Sequence, residues 1–337
     1  MRLSILDQAP ISEGQTAQEA LAESLSLAQT GEEVGYKRYW IAEHHDLSGL
    51  ACSAPEVMLS YIGANTKKIR IGAGAVLLPH YKPYKVAEVY NMLATLFLDR
   101  IDIGIGRAPG GSAEATNALS DNFLKQVWNM PNLVTDLLDF IDDNFVPENK
   151  HVSLSAAPVP TIPPQPWLLG TSKKSAELAA EKGLPYAFGQ FMSQNQDSTV
   201  IQQYLDNFKP RKDGEKPEVI LTVSVICGET MEQAEEIALS SIVWALQKET
   251  GQGNNGVPSI GNAKEYLRND GAKEAIVKQK ENLIIGDPKT VKAKIEELQY
   301  QYHADEIMMV TITHDPKDRI NSYRLIAREF EITQKSS

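Results

Sequence analysis

Four ionisable side chains, Glu-His-His-Asp at residues 43–46, directly follow the apolar run "RYWIA". The two histidines could bind a metal ion, one could act as a general acid or base, or the four residues could form a polar loop. Successive residues of an extended chain point to opposite sides, so His44 and His45 are poorly placed to share one ion. The sequence also contains neither His-x-His nor His-Glu-x-x-His, so we expect no metal site. The pattern leaves open whether one histidine is catalytic or both bond only to loop backbone or to Glu43.

A second candidate, Arg107, stands in the glycine-rich stretch "GIGRAPGG". A guanidinium group binds phosphate through two parallel hydrogen bonds, and glycines allow the backbone to approach such a ligand closely. The glycine spacing is not that of a dinucleotide-binding fingerprint, and Pro109 removes an N–H group. We favour a phosphate as the partner of Arg107 over the alternative, an ion pair with a neighbouring acid such as Asp102.

The stretch "LLGTSKKSAELAA" places hydroxyl groups where a predicted strand turns into a helix. Free N–H groups and the positive end of the helix dipole favour an anion there. Ser172 as a simple N-cap explains part of this pattern without a ligand, but Arg107 follows the neighbouring predicted strand and strengthens the ligand interpretation. We therefore expect Gly170, Thr171, Ser172 and Ser175 to form a phosphate site together with Arg107.

The segment "GAGA" at 72–75 is a stretch of strand almost without side chains. Such a segment would let a flat ring lie against the end of the sheet. A β-bulge or tight packing within a barrel would explain the same residues. The residues alone leave these interpretations open.

Short apolar runs and amphipathic stretches alternate along the chain and must position these candidates. At 16–35, for example, Ala20, Leu21, Leu25 and Ala28 make one apolar helical stripe. Strict alternation is typical of parallel strands with crossover helices, and a count near eight predicts a (β/α)8 barrel rather than an open doubly wound sheet. The predicted strands are residues 2–6, 38–42, 69–78, 100–106, 166–170, 185–189, 218–226 and 305–313.

No linker divides the chain, so we expect one domain over 1–337 with two long insertions, after strands four and seven. The first insertion, at about 107–165, holds a predicted helix at 132–145. The second, 248–286, begins with a glycine- and asparagine-rich tract. Long loops in compact domains are commonly functional, so we expect 248–286 to form a mobile lid.

Composition limits the classes of protein to consider. The chain has 337 residues, 42% of them hydrophobic, and a formal net charge of -11, so its field does not attract phosphate backbones or anionic lipid. Cys52 and Cys227 are its only cysteines and lack metal-ligand spacing. No run approaches the ~20 apolar residues of a membrane span. We expect a cytoplasmic protein that binds neither nucleic acid nor membrane.

Several motifs together resemble the bacterial luciferase-like family of flavin-dependent monooxygenases. They are "AEHHDLSGL", "IRIGAGAVLLP", "DRIDIGIGRAPGG", "LLGTSKKSAELAAEKGLPYAF" and "GDPKTVKAKIEELQYQYHADEIMMV". The resemblance covers nearly the whole chain apart from the two insertions. It implies a (β/α)8 barrel, a TIM barrel, that binds reduced FMN at its C-terminal mouth and reacts it with oxygen.

The resemblance also implies roles for particular residues. His44 matches the catalytic first histidine of the family's pair and would stabilise the oxygen adduct of the flavin or transfer a proton. A non-proline cis peptide is implied between Gly74 and Ala75, at the flavin. We assign His45 to packing and backbone bonding, and Cys52 to burial.

Three functions remain to be weighed. The leading one is oxygenation of a small organic substrate with reduced FMN supplied by a separate reductase, because the chain has no nicotinamide-binding unit of its own. The alternatives are a deazaflavin- or FMN-dependent dehydrogenase on the same fold and a flavin-binding protein without turnover. We also expect a homodimer. The sequence does not identify the substrate.

Overall fold

The computed structural model describes residues 1–147, 154–193, 197–251, 253–268, 277 and 279–332. Its nine strands all pair in parallel, in the order β6-β5-β4-β3-β2-β1-β9-β7-β8, and β6 also pairs with β7. Eight strands therefore close into a barrel, and β8 pairs with the last residues of β7. The predicted (β/α)8 fold is confirmed. The strands are β1 Arg2–Asp7, β2 Arg38–Ile41, β3 Arg70–Leu77, β4 Ile101–Gly106, β5 Gln165–Gly170, β6 Tyr186–Gly189, β7 Val219–Cys227, β8 Leu283–Gly286 and β9 Glu306–Val310.

Helices follow the strands and cover the outside of the barrel. The first begins at Thr16, whose side chain accepts a hydrogen bond from the Glu19 N–H group while the Glu19 carboxylate binds the Thr16 N–H group, and it ends at Gly35 with a φ of 96°. None of the helices in the described ranges is long and apolar enough to cross a membrane. The helices are α1 Ala17–Val34, α2 Pro55–Ala64, α3 Pro83–Leu96, α4 Ala113–Leu119, α5 Phe123–Trp128, α6 Met130–Ile141, α7 Lys173–Lys182, α8 Thr199–Asn207, α9 Met231–Glu249, α10 Ile260–Tyr266, α11 Pro288–Gln301 and α12 Pro316–Glu329.

All eight predicted strands are present, and the largest difference is in the last, which ends at Val310 rather than 313. The ninth, β8, lies inside the predicted lid 248–286, where its four residues were too short a run to be recognised. Helix α10 lies there too. Residues 252, 269–276 and 278 of that insertion fall outside the described residues, so lid motion stays a prediction.

A buried ionic network occupies the barrel interior. Arg38 is 2% exposed; its Nη1 lies 2.7 Å from an Asp102 carboxylate oxygen and its Nε 2.7 Å from one of Glu306. The second Asp102 oxygen lies 2.7 Å from Nη2 of Arg70, and the Ser4 hydroxyl donates to Glu306. Burial alone would lower the pKa of Arg38, but Asp102 and Glu306 raise it above its usual value. The network thus joins β1, β2, β3, β4 and β9.

The residues of the "GAGA" segment of β3 have small side chains partly because this network lies beside them. A Cβ atom on Gly72 would lie 2.8 Å from the Asp102 Cβ atom, and one on Gly74 would lie 2.7 Å from Leu6 of β1. The pairing of β3 with β4 also shifts register between Ala73 and Val76. Both alternatives considered for this segment, tight packing and an irregular strand, are therefore present.

We expect Arg38→Met to lower the free energy of unfolding by about 3–5 kcal/mol, because it leaves the Asp102 and Glu306 carboxylates buried without their cation. Urea denaturation of the purified protein measures this loss. Arg324→Met is the matched control: Arg324 is 51% exposed and pairs with Glu33, itself 69% exposed, so its loss should be below about 1 kcal/mol. Equal losses in the two variants would show that the network contributes little stability.

Candidate functional site

The predicted site residues all lie at the C-terminal ends of parallel strands. His44 follows β2, the Gly74–Ala75 peptide lies in β3, Arg107 follows β4, and Gly170 ends β5. Because every strand of the barrel is parallel, these ends meet at one mouth, where barrel enzymes carry their chemistry. The strand order places His44 between the ends of β1 and β3.

Glu43 is a buried carboxylate that anchors the loop after β2. It accepts hydrogen bonds from the Tyr81 hydroxyl at 2.6 Å and the Leu77 N–H group at 3.1 Å, and it lies 2.8 Å from Nε2 of His45. These contacts give Glu43 a structural role in the loop. They also fix the loop to the end of β3.

The two histidines lie in different surroundings. The His45 N–H group donates to the Gly110 carbonyl, and its ring packs edge-on against His80 at 6.0 Å between centroids. The His44 N–H group donates to the Cys52 carbonyl, while its buried Nδ1 has no partner among the described residues. His45 is thus held by packing, and His44 keeps an unused polar atom. Within the described ranges, no three His, Cys, Asp or Glu side chains form a group that could hold a metal.

His44 is electrostatically tuned. Burial, then the positive charge of Lys248, then His45 lower the pKa of His44 to about 4. The imidazole is therefore neutral near pH 7, and its Nδ1 can donate or accept a proton according to the tautomer.

The peptide bond between Gly74 and Ala75 is cis, as the family resemblance implied. Ala75 is 8% exposed, and a Cβ atom on Gly106 at the end of β4 would lie 2.9 Å from the Ala75 Cβ atom. The end of β4 must therefore carry a glycine for the two strands to approach here. That Gly74 and Ala75 contact a cofactor remains a prediction.

Arg107 lies beside the start of helix α7. Its exposed guanidinium has Nη2 3.4 Å from the Ser172 hydroxyl. Ser172 is the N-cap of α7 and shares a capping box with Ser175, and a Cβ atom on Gly170 would lie 2.2 Å from the Ser175 hydroxyl. Half-buried Thr171 lies between Gly170 and the cap. The structure thus brings all five predicted phosphate residues together.

The competing interpretation of Arg107 is wrong, because Asp102 points into the barrel and pairs with Arg38 and Arg70. Within the described ranges, Arg107 forms no ion pair with a carboxylate. A cation without an acid, a hydroxyl and a helix N-terminus together suit a phosphate group. Lys174 and Arg107 also line an apolar cavity of about 270 Å³ beside α7.

A second cavity, which we call the mouth cavity, lies at the ends of the strands opposite Arg107. Its volume is about 330 Å³, within the range of roughly 300–1,000 Å³ typical of small-molecule sites. Gln8 after β1, Ser224 and Ile226 in β7, and Val310 and Ile312 around the end of β9 form its strand side. The rest of the lining comes from Phe191, Met192, Ser241, Ile242, Trp244, Ala245, Lys248, Gln279, Asn282 and Leu283.

Sequence reasoning missed Tyr81 and the residues of α9 that line the mouth cavity. Tyr81 follows β3 by a short turn and gave no signal of its own. Trp244 and Lys248 are four residues apart in α9, directly before the glycine- and asparagine-rich tract. That spacing puts both on one helix face. Because the tract that follows was predicted to lie over the mouth, this shared face was a signal that the two residues could line the site.

The sequence and the fold of this chain are similar to those of known proteins. The sequence profile described as luciferase-like monooxygenase matches residues 1–304. A Bacillus subtilis (strain 168) protein named N-acetyl-S-alkylcysteine monooxygenase is 35% identical over 328 residues, which cover 97% of each chain. The solved structure of apo-MsnO8 is 33% identical, covers 98% of this chain and 99% of its own, and superposes with a TM-score of 0.89.

A more distant solved structure shares the fold alone. It is the FMN complex of the oxygenating constituent of 3,6-diketocamphane monooxygenase from the CAM plasmid of Pseudomonas putida, with 18% identity, a TM-score of 0.71, and coverage of 98% of this chain and 97% of that one. The profile match and the 35% identical relative, by contrast, each extend over most of the chain. The chain therefore belongs to the luciferase-like monooxygenase family.

Proposed function

We propose that this protein uses reduced FMN and oxygen to oxygenate a small organic substrate. The observation that carries the proposal is the position of Arg107, free of any described carboxylate and 3.4 Å from the N-cap hydroxyl of α7. This arrangement offers charge and hydrogen bonds to a phosphate dianion. It lies across the barrel mouth from a cavity large enough for an organic substrate.

The residues divide the work between binding and proton handling. Arg107 and Ser172 would bind the phosphate of FMN, with Gly170 and Thr171 alongside, and Ala75 would contact its ring system. Bound reduced FMN would supply the two electrons that let O2 give one atom to the substrate and the other to water. Neutral His44, whose Nδ1 has no partner among the described residues, would hold or transfer a proton beside the mouth cavity.

Oxygen uptake and product formation test the function directly. Purified protein supplied with reduced FMN should consume oxygen and release an oxygenated product from a substrate panel. Hydride transfer to a deazaflavin or FMN without oxygen uptake would favour a dehydrogenase instead. Flavin binding with neither activity would favour a non-catalytic binding protein.

The remaining expectations form part of the same proposal. A separate reductase would supply the reduced flavin in the cytoplasm, where the two buried cysteines stay free. The chain would act as one domain, with 248–286 closing over the mouth to exclude water. A homodimer is supported by exposed apolar side chains on neighbouring helices α2 and α3, among them Val57 and Leu96, which are 64% and 62% exposed.

We expect Arg107→Ala to weaken FMN binding by roughly 1.5–3 kcal/mol, because the phosphate loses a charge-assisted partner. The affinity of the variant for riboflavin, which lacks the phosphate, should be nearly that of wild type. Fluorescence titration with both flavins measures the difference. Arg324→Ala, which removes an exposed arginine from α12, is the charge-matched control. An equal loss for FMN and riboflavin would reassign Arg107 to structure.

We expect His44→Ala to leave flavin affinity nearly intact while lowering coupled turnover by about 10²–10⁴-fold, the usual contribution of a general acid or base. Most of the oxygen consumed would then be reduced to hydrogen peroxide instead of oxygenating the substrate. The ratio of hydrogen peroxide to oxygenated product measures this loss of coupling. His45→Ala is the matched control. It removes a partner of buried Glu43 and should cost about 1–3 kcal/mol of stability instead. The reverse pattern in the two variants would exchange the assigned roles.

The lowered pKa of His44 predicts a pH dependence of stability. The folded protein has a pKa of about 4 here against 6.5 for an ordinary histidine, so the unfolded chain binds the proton first as the pH falls. Wild type should therefore lose stability between pH 6.5 and 4. His44→Gln cannot take up this proton and should lose less, by on the order of 2 kcal/mol. Urea denaturation across this pH range measures the free energy of unfolding of both proteins. Parallel curves of that free energy against pH would contradict the prediction.

A further inference from the structure

The lining of the mouth cavity carries one positive charge and no negative charge among the described residues. Among the described residues that line it, Lys248 is the one ionisable side chain. The other polar lining groups are the amides of Gln8, Gln279 and Asn282 and the hydroxyls of Ser224 and Ser241. The apolar wall is formed by Phe191, Met192, Ile226, Ile242, Trp244, Ala245, Leu283, Val310 and Ile312.

Lys248 is held in place by its neighbours. Its ammonium lies 3.7 Å from the centroid of the Trp244 ring, an interaction between cation and aromatic face. A Cβ atom on Gly253 would lie 2.6 Å from Lys248 Cγ, so the turn after α9 packs directly on the lysine stem. Trp244 is fixed in turn, because its Nε1 donates to the Gly253 carbonyl at 3.3 Å and Gly49 packs against its ring. The positive charge therefore has a defined position on the cavity wall.

No described carboxylate neutralises this cation. Glu249 is adjacent in sequence, but its carboxylate accepts a hydrogen bond from the Gln279 amide at 2.8 Å. Within the described ranges Lys248 forms no ion pair. The charge of Lys248 is nevertheless felt inside the site, since it contributes to the low pKa of His44. A fixed cation beside an apolar wall provides the two features that an amphiphilic anion requires.

On the basis of the function proposed above, we propose that the substrate is a small organic carboxylate with an apolar chain. Lys248 binds the carboxylate, and the apolar chain lies along the side formed by Ile226, Ile242 and Ile312. The cavity of about 330 Å³ admits an apolar chain of several carbon atoms. Lys248 is then a specificity residue: it selects the substrate, and Arg107 on the other side of the mouth selects the phosphate of the flavin.

Octanoate and octanamide test this assignment, because they have the same chain and differ in charge. Isothermal titration calorimetry of the full chain at pH 7.5 should show tighter binding of octanoate. Lys248→Met should weaken octanoate by about tenfold or more, the loss of one charge-assisted hydrogen bond, and leave octanamide nearly unchanged. Lys248→Arg should retain octanoate binding. Lys85→Met is the control for net charge, because Lys85 on α3 is 70% exposed and pairs with Glu88.

The outcomes separate cleanly. Wild type that binds octanoate no more tightly than octanamide, or a Lys248→Met variant that loses both ligands equally, would overturn the assignment. A similar loss of octanoate in Lys85→Met would attribute the effect to net charge and overturn it as well. FMN titration of the same proteins is read separately. Failure of wild type to bind FMN would sink the oxygenase proposal, while the octanoate comparison would still decide the role of Lys248.

Discussion

The barrel depends on the buried pairing of Arg38 with Asp102 and Glu306. Both carboxylates are fully buried, and the guanidinium also stacks over the Trp167 ring at 4.7 Å. Removing such charges from water is costly, so each must meet its partner with good geometry. A one-residue slip of any participating strand would turn its polar or charged side chain to the opposite face and leave its partners unsatisfied. The network therefore specifies the register in which these strands close, and with it the height at which their C-terminal ends meet.

Another buried carboxylate, Glu43, fixes the loop after β2 at the barrel mouth. Its three contacts come from the loop of β2, the end of β3 and the turn that follows. His45 and Tyr81 satisfy Glu43, so the carboxylate has no need of His44. Nδ1 of His44 has no partner among the described residues. The adjacent histidines therefore differ in their bonding: the His45 ring lies beside the Glu43 carboxylate, and the His44 ring does not.

The sequence predicted the strands and the residues at their ends because both depend on local patterns. Apolar runs marked all eight barrel strands, and Arg107 and Ser172 meet as expected since their strands, β4 and β5, are neighbours. What it missed depends on contacts between distant segments. Nothing near Glu43 in sequence indicates that Tyr81 will reach it. The spacing of Trp244 and Lys248 in α9 indicates a shared helix face but not the segments that this face meets. Strand β8 was missed because four residues are too few for a periodic signal.

Two cations stand at the barrel mouth although the protein as a whole is negatively charged. The protein has a net charge of -11, yet Arg107 after β4 and Lys248 near the end of α9 stand there without a described acid as partner. His44 follows β2 at the same mouth. The positive charge of Lys248 is part of what keeps His44 neutral. An anion bound to Lys248 would cancel that contribution and raise the pKa of His44. By linkage, protonation of His44 would strengthen the binding of that anion equally. The charge of an anionic substrate and the proton on His44 would therefore be coupled through Lys248.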